Sequence, residues 1–222
     1  MAIEKTVFTA TAGANRLAEV RAWFAANSTD YFDTITDISN NTFYCKKDNK
    51  NVVMFETGVA NGCALYLANG ADQHIRINNT FNPEWIVKTS KGIMIKFQNT
   101  LANSFHNYIT FAKSPDGDLV IVFLGTTYGA TDYSEFFCYS FDRSANFGSY
   151  MKEAISADGQ AAARKQLVTS APMTALVPIP VNDIETYAVG VYRMAYYQFS
   201  SAGNITANGK NYFSNVYYVL EE

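Results

Sequence analysis

The residues able to carry acid–base, nucleophilic or metal chemistry are few in this 222-residue chain, and they are scattered. Histidine, the commonest general base, occurs only as His74 and His106. His74 lies in Asp72-Gln73-His74-Ile75-Arg76, where polar and apolar residues alternate, and reads as a strand surface position. His106, in Phe105-His106-Asn107-Tyr108, reads as a turn entering a strand. No H-x-H, H-x-x-x-H or H-E-x-x-H spacing would bring imidazoles to one metal. Cys45, Cys63 and Cys138 are widely spaced and match no C-x-x-C zinc or redox pattern. Cys63 and Cys138 sit in apolar stretches, where a free thiol packs as a small hydrophobe.

Two carboxylate pairs have spacing that a glycosidase could use: Asp116 with Asp118, and Asp132 with Glu135. The first flanks a glycine in a turn sequence, where aspartate serves the backbone. The second follows Thr126-Thr127-Tyr128-Gly129-Ala130-Thr131, a polar loop with an aromatic. Tyr128, Asp132 and Tyr133 are the residues a glycan would meet there. There is no G-x-S-x-G elbow, no phosphate loop and no G-x-G-x-x-G. Gly58-Val59-Ala60-Asn61-Gly62 reads as a turn. The expectation is a non-enzymatic protein with no catalytic residues, no metal and no cofactor.

Tyrosine is in excess. Tyr192, Tyr196, Tyr197, Tyr212, Tyr217 and Tyr218 crowd the C-terminal region with few charges nearby. Cross-strand packing accounts for some. Tyrosine is also enriched at protein interfaces, because it supplies large contact area at low entropic cost. These six are therefore candidate interface residues.

The elements that must position these residues are mostly strands. Charged residues are only 17% of the chain and aromatics 15%, a balance that suits strands and turns and can bury a large core. A net charge of −3 provides no basic surplus for phosphates, which argues against a nucleic-acid binder. The lysine run Cys45-Lys46-Lys47-Asp48-Asn49-Lys50 reads as a solvated loop. No apolar run approaches the ~18 residues of a membrane-spanning helix, and the first residues do not read as a signal peptide. The expected site of synthesis is a cytoplasm, with no membrane partner.

One helix is expected over 16–26, where Leu17, Val20 and Phe24 recur at helical spacing. Strands are expected over 5–10, 51–56, 63–68, 74–78, 85–88, 92–97, 108–111, 119–123, 135–141, 187–197 and 216–220. Ser114-Pro115-Asp116-Gly117-Asp118 predicts a hairpin, and so does Asn208-Gly209 between two short runs. Two prolines place 173–180 at a sheet edge or in an extended arm. A second helix is expected near 149–167, interrupted at Asp158-Gly159. The predicted class is mainly β, an antiparallel sandwich or barrel-like fold with an N-terminal helix; the alternative is α+β. One domain is expected over 1–222, with a subdivision near 145–170 as the competing division.

The stretch Ile205-Thr206-Ala207-Asn208-Gly209-Lys210-Asn211-Tyr212-Phe213-Ser214-Asn215-Val216-Tyr217-Tyr218-Val219-Leu220 resembles the ends of uncharacterised structural proteins of tailed bacteriophages and prophages. That resemblance implies a virion component, in the tail or baseplate or on the capsid. It also implies partners of two kinds, copies of itself and other virion proteins. The competing expectation is a carbohydrate- or receptor-binding module using the Tyr128–Tyr133 loop.

Overall fold

A computed structural model describes residues 2–10, 13–57, 63–69, 74–99, 106–125, 134–144, 151–153, 167–168, 176–181, 184–194, 198–199, 202–207, 209–215 and 218–222. The described residues form mainly antiparallel sheets and one helix. Strands β1 (Glu4–Val7), β2 (Thr34–Ser39), β3 (Thr42–Lys47), β4 (Lys50–Thr57), β5 (Cys63–Ala68), β6 (His74–Lys88), β7 (Gly92–Asn99), β8 (His106–Lys113), β9 (Leu119–Gly125), β10 (Ser134–Ser140) and β11 (Met151–Glu153) make an eleven-stranded sheet. From β2 to β11 each strand pairs with its neighbours in sequence, and β1 adds beside β6. Strands β13 (Leu176–Pro180), β14 (Tyr187–Met194), β16 (Ala202–Ala207), β17 (Lys210–Asn215) and β18 (Tyr218–Glu221) make a five-stranded sheet in the order β13-β14-β18-β17-β16. Two short strands, β12 (Leu167–Val168) and β15 (Gln198–Phe199), pair in parallel.

Helix α1 (Ala14–Asn27) covers one face of the large sheet with Leu17, Val20 and Phe24, the expected apolar stripe. It has no side-chain N-cap. Its start is held instead by Glu19, whose carboxylate accepts from the Thr9 and Ala10 backbone N–H groups at 3.0–3.2 Å. Arg16 donates to the carbonyls of Ala10 (2.8 Å from Nε) and Pro83 (2.6 Å), tying the helix to β6. At the far end, both the backbone N–H and the hydroxyl of Ser28 donate to the Phe24 carbonyl. The Phe24 ring is fully buried, with the rings of Phe55, Phe32, Phe111 and Phe43 at 5.3, 5.9, 6.3 and 6.4 Å.

The sheet curls around this core. The Tyr139 hydroxyl on β10 donates across the interior to the Ala68 carbonyl on β5 at 3.2 Å. Lys47 on β3 reaches Asp142, just past β10, at 2.8 Å. Strands far apart in the sheet order therefore meet, as in a barrel-like fold. The opposite face of β6–β10 packs against the small sheet. There Trp85, Met94, Tyr108 and Val122 meet Val191, Phe213, Tyr218 and Leu220 in one buried cluster. Because β9 has a packed layer on each face, all of Leu119–Gly125 is buried. Its unbroken apolar run follows directly.

Four expectations need correction. The lysine run is not a loop: Lys46 and Lys47 end β3, Lys50 begins β4, and Asp48-Asn49 is the two-residue turn between them. Both turn residues have positive φ, 50° and 62°, a conformation that Asp and Asn tolerate and that matches strand twist. The segments 74–78 and 85–88 are one strand, because the intervening Phe81, Asn82 and Pro83 pair with Asn99, Gln98 and Phe97 of β7. The described parts of 149–167 are strand, not helix: Met151–Glu153 pairs with Ser134, Glu135 and Phe136 at the edge of the large sheet, and Leu167 opens β12. The alanine-rich run 161–163 lies outside the described residues. Finally, β2 and most of β3 answer to no expected strand.

Candidate interaction surface

The residues able to do chemistry take up structural positions. His74 opens β6 and His106 opens β8, opposite Ala68 and Gln98 respectively. Asp116 and Asp118 share the guanidinium of Arg143, each at 3.2 Å, at the tip of the β8–β9 hairpin. The hairpin is closed by Ser114, whose N–H donates to the Asp118 carbonyl at 2.9 Å. Glu135 lies on β10 opposite Gly125 and Lys152. Cys45 and Cys138 are fully buried, and burial pushes both thiols up, which keeps them protonated and unreactive at neutral pH. Cys63 pairs with Thr57 and Phe81 within the sheet. Among the described residues, no three of His, Cys, Asp and Glu come together as a metal site needs, and no helix is long and apolar enough to cross a membrane.

The tyrosines divide. Tyr218 is fully buried between the two sheets, its hydroxyl 2.8 Å from Thr110 Oγ1. It joins parts of its own chain, so its assignment as a contact for another chain is corrected. Tyr212 is also buried, at 4% exposure, edge-on to the Tyr192 ring at 6.2 Å. Tyr192 is half-buried on the face turned away from the large sheet. Burial first, and then the nearby Glu221 carboxylate that it hydrogen-bonds, raises the Tyr192 pKa. Glu221 also holds Lys210 at 2.8 Å. Tyr196, Tyr197 and Tyr217 lie outside the described residues, as do Tyr128, Asp132 and Tyr133 of the glycan-contact loop and the 58–62 turn.

The side chains best placed to meet another chain were not among those candidates. Strand register sets Tyr44 opposite Met54 and Met54 opposite Tyr66, so the three form one row across β3, β4 and β5. Thr36 of β2 extends the row at one end. All four side chains are half-buried on the outer face of the curled sheet. The alternate residues Phe43, Cys45, Val53, Phe55, Leu65 and Leu67 fill the interior, which is why the row must point outward.

A register shift between Cys45 and Lys46 places an extra residue, Val52, in β4. At this bulge Val52 and Val53 are both buried in succession. Beside it lies a shallow depression of about 40 Å³ lined by Tyr44, Asn51, Val52, Val53, Met54, Tyr66 and Ala68. That is below the ~300–1,000 Å³ of small-molecule sites. The sequence signal was present in Tyr44, Met54 and Tyr66 at outward positions of strands, but reading β3 as a lysine-rich loop hid it. No protein-family model matches the chain, and no curated protein matches it.

Proposed function

We propose that this is a non-enzymatic assembly protein, made in a bacterial cytoplasm and incorporated into a phage or phage-like particle, that works by contact with other chains. The observation that carries the reading is the outward row Tyr44–Met54–Tyr66 around an apolar depression. Tyr and Met are over-represented in the cores of protein interfaces, where Tyr brings rigid area and Met adapts its shape. Strands fix all three backbones, so little order is lost on binding. The C-terminal resemblance to phage structural proteins supplies the setting.

The test is co-expression with the products of the genes flanking its own. Capsid, portal or tail proteins among those products should co-purify with this chain at fixed stoichiometry. Tyr44→Ser together with Tyr66→Ser should weaken that association by roughly thirty-fold or more, the effect of losing a central aromatic contact worth about 2 kcal/mol. Flanking genes of another kind, or a double variant that binds like the parent, would refute the reading.

A further inference from the structure

The edge of β16 away from β17 lacks two of the devices by which sheet edges avoid pairing. Ala202–Ala207 contains no charged residue and no proline. Its register with β17 runs without a shift from Ala202↔Asn215 to Ala207↔Lys210. Among the described residues, no strand pairs with its other side. An uncharged edge of this kind, in unshifted register and with one irregular residue, Gly203 at φ +133°, is a template for another strand. The β2 edge of the large sheet differs: it bears Asp37, held by Arg21, and a register shift at Ile38. Those are two recognised edge protections.

We infer that β16 pairs with β16 of a second copy of this chain, antiparallel, about a two-fold axis through Ile205. The partner and the register follow from the side chains. Ala202, Asn204 and Thr206 are exposed, while Gly203, Ile205 and Ala207 on the other face are half-buried. Two antiparallel copies must keep each set on its own face of the joined sheet, so only registers that match like parity are allowed. The register centred on Ile205 sets Ile205 against its own copy, Asn204 against Thr206, and Gly203 against Ala207.

This register joins apolar surface to apolar surface. Ile205 lies opposite Tyr212, and both belong to the small cluster that includes Tyr192 and Val219. The partner's Ile205 would extend that cluster across the axis. On the other face, the Asn204 amide can donate to Thr206 of the second copy, whose hydroxyl donates to Asn211 Oδ1 at 3.0 Å and still accepts. No like charges meet along the seam. The inference deepens the assembly reading by naming a partner and a seam, and it stands on residues remote from Tyr44 and Tyr66 in the strand order.

A seam of one short strand from each copy falls below the ~1,200 Å² of a standard interface, so association should be concentration-dependent. The full chain should pass from monomer to dimer mass in sedimentation between ~1 µM and ~1 mM. Ile205→Lys should abolish that shift by apposing two ammonium groups, and Tyr44→Ser should leave it unchanged.

Cysteine cross-linking tests the register separately. Directly opposed antiparallel residues have Cα atoms about 4.5–5.5 Å apart, within disulfide reach. Under mild oxidation Ile205→Cys should give a covalent dimer, while the parent chain, Asn204→Cys and Thr206→Cys should not. A monomer at every concentration with no Ile205→Cys cross-link would overturn the inference. Cross-linking through position 204 or 206 in place of 205 would overturn it as well. Either failure leaves the Tyr44–Met54–Tyr66 experiment standing on its own.

Discussion

Removing one hydroxyl from the seam between the sheets offers the sharpest probe of how this molecule holds together. The Tyr218 hydroxyl and Thr110 Oγ1 lie 2.8 Å apart, and both residues are fully buried. Tyr218→Phe leaves the threonine hydroxyl without that partner. Thr110→Val removes one partner of the tyrosine hydroxyl, which the Asn215 side chain also hydrogen-bonds. Each single change should cost about 1–3 kcal/mol, the penalty for a buried polar group that loses its hydrogen bond. The double variant replaces both groups with apolar ones of similar shape, so it should cost less than the two single losses combined. The expected coupling is about 1–2 kcal/mol, read as a double-mutant cycle from urea denaturation. The cluster around Tyr218 draws on both sheets, so unfolding should show one transition by fluorescence and by circular dichroism. Additivity within roughly 0.3 kcal/mol would show that the pair does not bridge the sheets. Two separate transitions would show that the sheets do not share a core.

Three further outcomes follow from the packing. Phe24→Ala should cost about 3–5 kcal/mol in the same denaturation assay, because a fully buried ring between four others leaves a cavity that β-structure cannot close. Gly190 has φ of +76°, and a Cβ there would lie 2.5 Å from Lys91 Cβ. Gly190→Ala should therefore cost about 2 kcal/mol or more, and adding Lys91→Gly should recover the steric share while leaving about 1–2 kcal/mol of backbone cost. Burial raises the pKa of Tyr31, Tyr139 and Tyr218, and of Cys45 and Cys138. These groups stay protonated in the folded chain while the unfolded chain ionises. Their stabilising contribution is complete below the unfolded values, near 10 for tyrosine and 8.5 for cysteine, and falls by about 1.4 kcal/mol per group for each pH unit above them. The urea midpoint should drop steeply above pH ~10, and a constant midpoint would contradict the burial.

Much of the fold was legible because the core imposes simple periods. Helix α1 announced itself through Leu17, Val20 and Phe24, and the β8–β9 and β16–β17 hairpins through Asp-Gly and Asn-Gly turns. The β2–β3–β4 region was not legible. There Lys46 and Lys47 occupy strand positions, since one lysine end reaches Asp142 from a distant part of the chain. No local pattern reveals that partner. Tyr218 and Tyr212 misled for a related reason. A tyrosine in a sparsely charged strand suggests a surface meant for another chain, but here the large sheet buries Tyr218, and Tyr192, Val219 and Ile205 of its own sheet pack around Tyr212. The Tyr44–Met54–Tyr66 row depends on knowing β3, so the missed strand hid it.

The order of the strands carries a consequence for how the chain is made. From β2 to β11 every pairing in the large sheet joins sequence neighbours, so the sheet can grow one hairpin at a time as the chain emerges. Helix α1 emerges before all of them, yet its Phe24 binds Phe111 of β8 as well as Phe55 of β4. The first helix must therefore wait, with its apolar stripe uncovered, until most of the sheet has been synthesised. The seam with the small sheet closes after the large sheet has formed, because β14 and β18 follow β2–β11 in sequence. During that interval β7, β8 and β9 present an open apolar face of Met94, Ala112, Val120 and Val122. A newly made chain is thus most exposed to aggregation just before its own C-terminal strands cover that face.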